Sequence, residues 1–366
     1  MRLSLTLSGY IGRHFLINFV VLFGIFLMLI LLFDTIELLR RSVARSEISF
    51  AMVFEMALLK LPHMGQETFR FAVLFGGMAA FWRLTRNHEL MVTRAAGVSA
   101  WQFLLPVLLI AFILGVVKIT MVNPLASATL ARYERLEAVR LKGQVSFLAL
   151  SVSGLWLRQA GDSGQSVVRA RHVLQQGDDV ELRDVTVFVY EGTDHFAERI
   201  DAQYARLEDG FWYMRDVWVY DPEKLPQFKK EIWLETDLTL NKIQDSFAPP
   251  ETMSFWDLPD FIKTLEKAGF SAVRHRLYWY TLLADPLLLC AMVLIAATFT
   301  LRHARRGGTT FIIVGGVLTG FVLYFFSDVV FALGLSDSIP ITLAAWTPSG
   351  VTLLLGLAML LHLEDG

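Results

Sequence analysis

The sequence holds one cysteine in 366 residues, Cys290. A single thiol closes no intramolecular disulfide, and inside an apolar run it reads as a small buried hydrophobe. Charge is also scarce. Asp, Glu, Lys and Arg make up 19% of the chain, against about 25% in an ordinary soluble domain. Neither sign dominates: the net charge is −2, which removes the electrostatic basis for a nucleic-acid partner. There is no HExxH, no CxxC, no GxxxxGK[ST] and no Ser/His/Asp signature, and His172 and His195 are isolated. The expectation is therefore no catalytic set, no metal, no cofactor and no ATP-hydrolysing site in this chain. The first apolar run is too long for the core of a signal peptide, and no small-residue cleavage site follows it, so the N-terminus reads as uncleaved.

Apolar residues are what the chain has in excess: 54% of the total, with a mean hydropathy of +0.49. A membrane-crossing helix needs about 20 mostly apolar residues. Runs of that kind cover residues 15–33, 100–122, 277–301, 311–333 and 341–361. A longer one, residues 48–82, is interrupted by Lys60, Pro62, His63, Glu67 and Arg70. It reads as one long helix, kinked near Pro62, with its first half at or above the membrane interface. Between Asn123 and Ala272 no run is long enough to cross. The pattern predicts a bundle of six transmembrane helices with an inserted soluble domain: residues 1–128, 129–252 and 253–366 in turn.

Lys and Arg in short flanks set orientation. With the N-terminus inside, the cytoplasmic flanks carry Arg2, Arg13, Arg83, Arg86, Arg94, Arg302, Arg305 and Arg306, and the outer flanks carry Arg40, Arg41 and Arg45. The imbalance puts both termini in the cytoplasm and the insert outside. The Arg40/Arg41/Arg45 group breaks the rule and calls for a separate reason.

Within the insert, segments such as 153–158, 180–189, 211–220 and 231–240 alternate apolar and polar residues or are rich in strand formers. Gly-Asp pairs punctuate them. This reads as an all-β sandwich or jelly roll, its two-faced apolar strands forming either a two-layer core or an apolar groove. Near residue 254, Ser254 or Asp257 caps a short amphipathic helix carrying Phe261, Leu265 and Ala268 on one face, suited to the membrane interface. Between the second and third spans, residues 83–97 form a small helix with an apolar stripe of Leu90, Met91 and Ala95 and a Gly97 cap. It is either a re-entry turn or a docking element offering Glu89 as an exposed carboxylate to a basic groove.

The run Glu89-Leu-Met-Val-Thr-Arg-Ala-Ala-Gly97 resembles the coupling helix of the LptF/LptG lipopolysaccharide export permease family. Further pieces match in order: 10–15 (YIGRHF), 33–41 (FDTIELLRR, closer to the LptG branch than to LptF), 323–326 (LYFF), Pro340 and 345–348 (AWTP). The resemblance covers essentially the whole chain. It departs at the entry to the fourth span, where the family usually has a basic residue and this chain has Ala284-Asp285.

The resemblance implies an ABC transporter permease of the bacterial cell inner membrane, serving outer membrane biogenesis. Its partners would be an LptB-like ATPase dimer, an LptF-like permease and an LptC-like periplasmic jellyroll protein, with lipopolysaccharide as cargo. Phosphate on such a lipid suits arginine's planar fork, which gives the misplaced Arg40, Arg41 and Arg45 a role as headgroup ligands, with Arg70, Arg132 and Arg135. Each also has the plainer reading of an interfacial ion pair, and Glu67 and Arg70 can simply pair at i, i+3. Acyl chains need an apolar cavity, for which Phe26, Leu29 and Phe33 of the first span and Phe325 and Phe326 of the fifth are candidates. Arg86, Glu89 and Arg94 are the candidate contacts to the ATPase. The residues alone leave open a permease for another lipid or lipoprotein, a membrane-anchored scaffold or sensor with a ligand-binding β domain, and, more weakly, a membrane enzyme.

Overall fold

A computed structural model describes residues 5–42, 49–95, 97, 99–137, 140, 148–151, 154–161, 164–176, 179–191, 195–208, 210–222, 224–236, 248–267, 271–303 and 309–364. The helices are α1 (Leu5–Ser42), α2 (Phe50–Arg86), α3 (Glu89–Ala95), α4 (Ala100–Val117), α5 (Asn123–Glu137), α6 (Leu258–Lys267), α7 (Val273–His303), α8 (Thr309–Leu335) and α9 (Ile341–Glu364), with a five-residue π segment, Lys118–Val122, joining α4 to α5. The strands are β1 (Leu148–Ser151), β2 (Gly154–Gly161), β3 (Gly164–Gln176), β4 (Asp179–Glu191), β5 (His195–Glu208), β6 (Phe211–Tyr220) and β7 (Gln227–Glu235). Two compact units result: Met1–Leu141 with Glu251–Trp256 and Arg276–Gly366, and Lys142–Pro250 with Asp257–His275.

The first unit is a helix bundle. Among the described residues, five helices are long and apolar enough to cross a membrane: α1, the α4–α5 stretch, α7, α8 and α9. The sixth expected span is α2, which runs unbroken through Pro62 for 37 residues but carries Lys60, Glu67 and Arg70 along its middle. Helix α7 is the axis of the core. Leu289, Ala291, Val293, Ile295, Ala296 and Ala297 are fully buried, the all-round apolar surface of a helix enclosed by others. Close approach is built in at Gly115, where a Cβ would lie 2.5 Å from Pro286 Cα. Gly316 and Gly320 of α8 seat against Met78, Phe71 and Leu74 of α2, the seam expected of small residues. Cys290 is partly buried with its Sγ 3.5 Å from the Leu108 carbonyl.

Among the described residues the second unit holds α6 and one seven-stranded antiparallel sheet in the order β1-β2-β3-β4-β5-β6-β7. The strands foreseen from alternation are present, apart from 237–240, which lie outside the described residues, and among the described residues the jelly-roll order is not seen. Each strand pairs with its sequence neighbour, whereas a jelly roll interleaves its strands by two Greek keys. The buried face carries Leu157, Val168, Val187, Ile200, Trp212 and Met214.

A crease crosses the sheet. Arg171, Asp184, Gln203, Asp216 and Lys230 lie opposite one another on β3 to β7, yet none joins the ladder, while pairing resumes in the same register on both sides. Buried positions are three apart across it: Leu182 and Val185, Ala202 and Ala205, Met214 and Val217. Asp184 and Asp216 hold φ of 53° and 54°, a left-handed conformation that costs a residue with a Cβ but that aspartate tolerates better than most.

Helix α6 is amphipathic, as expected, but buries Leu258, Ile262 and Leu265. The spacing i, i+4, i+7 selects this face over one centred on Phe261, which instead lies 5.1 Å, centroid to centroid, from His275. Ala268 lies outside the described residues.

Candidate functional site

Three helix ends meet where α1 stops, α2 starts and α5 stops. Leu38, Val53, Met56, Ala57, Leu130 and Tyr133 form the apolar floor. Above it is a rim of charge. Arg40 and Arg41 both reach Glu37, at 2.7 and 2.8 Å, and Arg41 also lies 3.9 Å from Glu137 on α5. Arg132 of α5 bridges to Glu55 of α2 at 2.9 Å. Slightly deeper, Lys60 of α2 pairs with Asp34 of α1 at 2.6 Å and lies 5.6 Å from the Tyr133 ring.

The candidate headgroup ligands thus separate. Arg40, Arg41 and Arg132 share the rim, each already paired with a carboxylate but well exposed, at 77%, 55% and 67%. Arg135 is exposed on the same helix as Arg132. Arg45 lies outside the described residues. Arg70 stands apart: it pairs with Glu67 at 2.9 Å on its own helix, as the i, i+3 spacing suggests, and lies 5.7 Å from the Tyr324 ring of α8. Its Nε is buried without a partner among the described residues.

The cavity candidates are not brought into one cavity within this chain. Phe26 packs against Phe75 of α2 at 6.2 Å, and Phe326 joins a separate cluster with Leu277, Val330 and Ala345. Leu29, Phe33 and Phe325 are exposed. Helix α2 packs on both α1 and α8, through Phe75 to Phe26 and through Phe71 to Tyr324, so the apolar faces of α1 and α8 stay separate and outward.

At the opposite end of α1 and α2 lies α3. Glu89 is half-buried rather than free: Asn87 Nδ2 donates to it at 3.2 Å and the Tyr10 hydroxyl of α1 hydrogen-bonds it. Its carboxylate ties α3 back to α1. Of the apolar stripe, Leu90 is buried in the bundle core, while Met91 and Val92 are 66% and 68% exposed. Arg86 lies 5.1 Å from the Trp82 ring. The side chain of Arg94 lies outside the described ones. Gly97 has φ +84°, the left-handed cap its position implied. Ser99 and Gln102 then open α4 with a capping box.

One ionic site went unpaired in the sequence reading. Lys118, at the start of the π segment, meets Asp285 of α7 at 2.5 Å with both side chains under 10% exposed. Five residues on, Asn123 is wholly buried, accepting from the Phe255 amide at 2.7 Å and donating to Gln66 at 3.4 Å. A π segment is often found at a functional position; here it turns Lys118 and Asn123 into the bundle. The acid at 285, flagged in the sequence as a departure, has its counter-ion in Lys118. Asp328 of α8 has no ion pair or hydrogen bond among the described residues.

A family model described as lipopolysaccharide export system permease LptF/LptG matches residues 9–362. The chain belongs to this family. The LptG permease protein of Escherichia coli strain K12 is 26% identical over 314 residues, covering 83% of this chain and 84% of its own length. That of Haemophilus influenzae is 24% identical over 359 residues, covering 94% and 95%. For an LptF/LptG chain, the rim, α3 and the Lys118–Asp285 pair occupy three separate levels of the bundle.

Proposed function

We propose that this chain is the LptG-type permease half of an ATP-driven exporter that lifts lipopolysaccharide from the outer leaflet of the inner membrane. The observation that carries this reading is the family match across residues 9–362, with LptG relatives aligned over most of their lengths. The chain crosses the membrane six times, α2 included, with both termini cytoplasmic and the sheet periplasmic. An LptF-like permease completes the cavity, which agrees with the outward apolar faces of α1 and α8. An LptB-like ATPase pair supplies the energy, and an LptC-like protein receives the lipid from the sheet domain.

In this mechanism the rim arginines exchange carboxylate for phosphate. Glu37, Glu55 and Glu137 hold Arg40, Arg41 and Arg132 in place while the site is empty, and a bidentate phosphate then replaces them at exposed positions where the resident pairs are weak. The ATPase grips α3 through Met91 and Val92, while Glu89 transmits the motion to α1.

The test is co-purification from native membranes with mass spectrometry of protein and lipid. Wild type should bring down an ABC ATPase, a second six-span permease and lipopolysaccharide; an Arg40→Glu/Arg41→Glu chain should keep the proteins and lose the lipid. Recovery with a different lipid would point to a permease of another lipid or lipoprotein exporter, and a chain recovered alone to a scaffold.

A further inference from the structure

On its outward face the sheet carries a groove of about 320 Å³ beside the crease. Two parallel rows of side chains build it. The first is the unbridged row from Arg171 through Asp184 and Gln203 to Asp216. The second runs two residues further along each strand: Trp156, Arg169, Thr186, Asp201, Trp218 and Phe228 stand opposite one another across β2 to β7. The second row is pre-formed. Arg169 stacks on Trp156 at 5.1 Å, Arg199 clamps Asp201 with bonds of 3.0 and 2.6 Å, and Trp218 packs on Phe228 with ring centroids 5.4 Å apart.

The groove has direction. At its β3 end lie Arg169 and Arg171, the latter without an ion pair or hydrogen bond among the described residues. At its β6–β7 end, three strand spacings or about 14 Å away, lies the aromatic platform, with Trp218 45% exposed. Between them Asp184, Gln203 and Asp216 offer acceptors. Asp216 has no partner among the described residues, and Asp184 has only a 3.7 Å approach from His172. Both aspartates sit at positive φ, and backbone strain of this kind persists where a site requires it. A flat aromatic face, carboxylates beside it and a cation at the far end of the groove match the C–H face, the hydroxyls and an anionic substituent of a short saccharide. A polyanion is disfavoured, because Arg169, Arg171 and Arg199 are balanced by Asp184, Asp201 and Asp216 in the groove lining.

We propose that this groove binds a short saccharide bearing one anionic group, its ring on Trp218 and its anion on Arg169 and Arg171. The inference stands apart from the export reading, since such a glycan could belong to a lipid or be free.

The experiment is calorimetric titration of the full-length chain in detergent with three probes: a trisaccharide carrying a single terminal phosphate (maltotriose 1-phosphate), neutral maltotriose, and inorganic phosphate. Because the first probe has no acyl chains, its binding does not depend on lipid extraction. The oligosaccharide should bind, with Kd raised at least tenfold by Trp218→Ala and by Arg171→Ala, and maltotriose should bind more weakly. Asp216→Gly should weaken binding while Tm holds or rises, because glycine relieves the left-handed backbone. Equal binding by wild type and Trp218→Ala, or no binding of either glycan, would overturn the proposal. Binding of maltotriose alone would remove the anionic half, full displacement by phosphate would make it a simple anion site, and a fall in Tm for Asp216→Gly would make that residue structural.

Discussion

The ion pairs of the rim and the ion pair at the π segment use the same chemistry in opposite surroundings. Lys118 and Asp285 are only 6% and 8% exposed, whereas Arg132 and Glu55 are 67% and 51% exposed. Charges taken out of water are costly unless paired, so removing one partner leaves the other stranded. Exposed pairs gain little and lose little when broken. The buried pair is thus a fixed joint between the first and second halves of the bundle, and the rim pairs are exchangeable.

The largest effect that would sharpen this contrast is Asp285→Ala. It should destabilise the bundle by about 3–5 kcal/mol, seen as a collapse in detergent-solubilised yield and Tm. The double change Lys118→Met/Asp285→Leu should recover most of the loss. If the single change is silent, the joint is not a joint. Next, Asn123→Ala strands the Phe255 amide and should cost about 1–3 kcal/mol, read from the same melting curve. Breaking the rim with Arg132→Ala should cost less than about 1 kcal/mol, yet reduce photocrosslinking of lipopolysaccharide to α5 several-fold. A large Tm drop here would erase the distinction between the regions. Smallest on stability, within about 0.5 kcal/mol, is Met91→Asp/Val92→Asp, which should nonetheless release the ATPase in a pull-down.

Much of this was legible from composition and period. The apolar runs mark the long helices because a bilayer demands length, and alternation marks the strands because successive side chains change face. The Glu67–Arg70 pair and the Gly97 cap followed from local spacing. What escaped was non-local or out of phase. Lys118 and Asp285 are 167 residues apart, and the lysine opens a π segment that hydrophobic periodicity does not mark. Glu89 looked free because its partner, Tyr10, lies on another helix. The crease hid because a buried pair such as Leu182 and Val185 is three apart, a spacing that breaks the strand period of two and reads as a helix face instead. The sandwich expectation assumed that two apolar faces need two layers, whereas one sheet bent at a crease can present both.

The sequential order of the seven strands has a consequence in time. Every strand pairs only with its immediate predecessor and successor, so each hairpin can zip as the chain emerges, without waiting for a distant segment. Local pairing of this kind keeps contact order low and folding fast. It also leaves only one growing edge open to a wrong partner at any moment. The bundle has the opposite schedule, since its buried lysine stays uncompensated until Asp285 has been made.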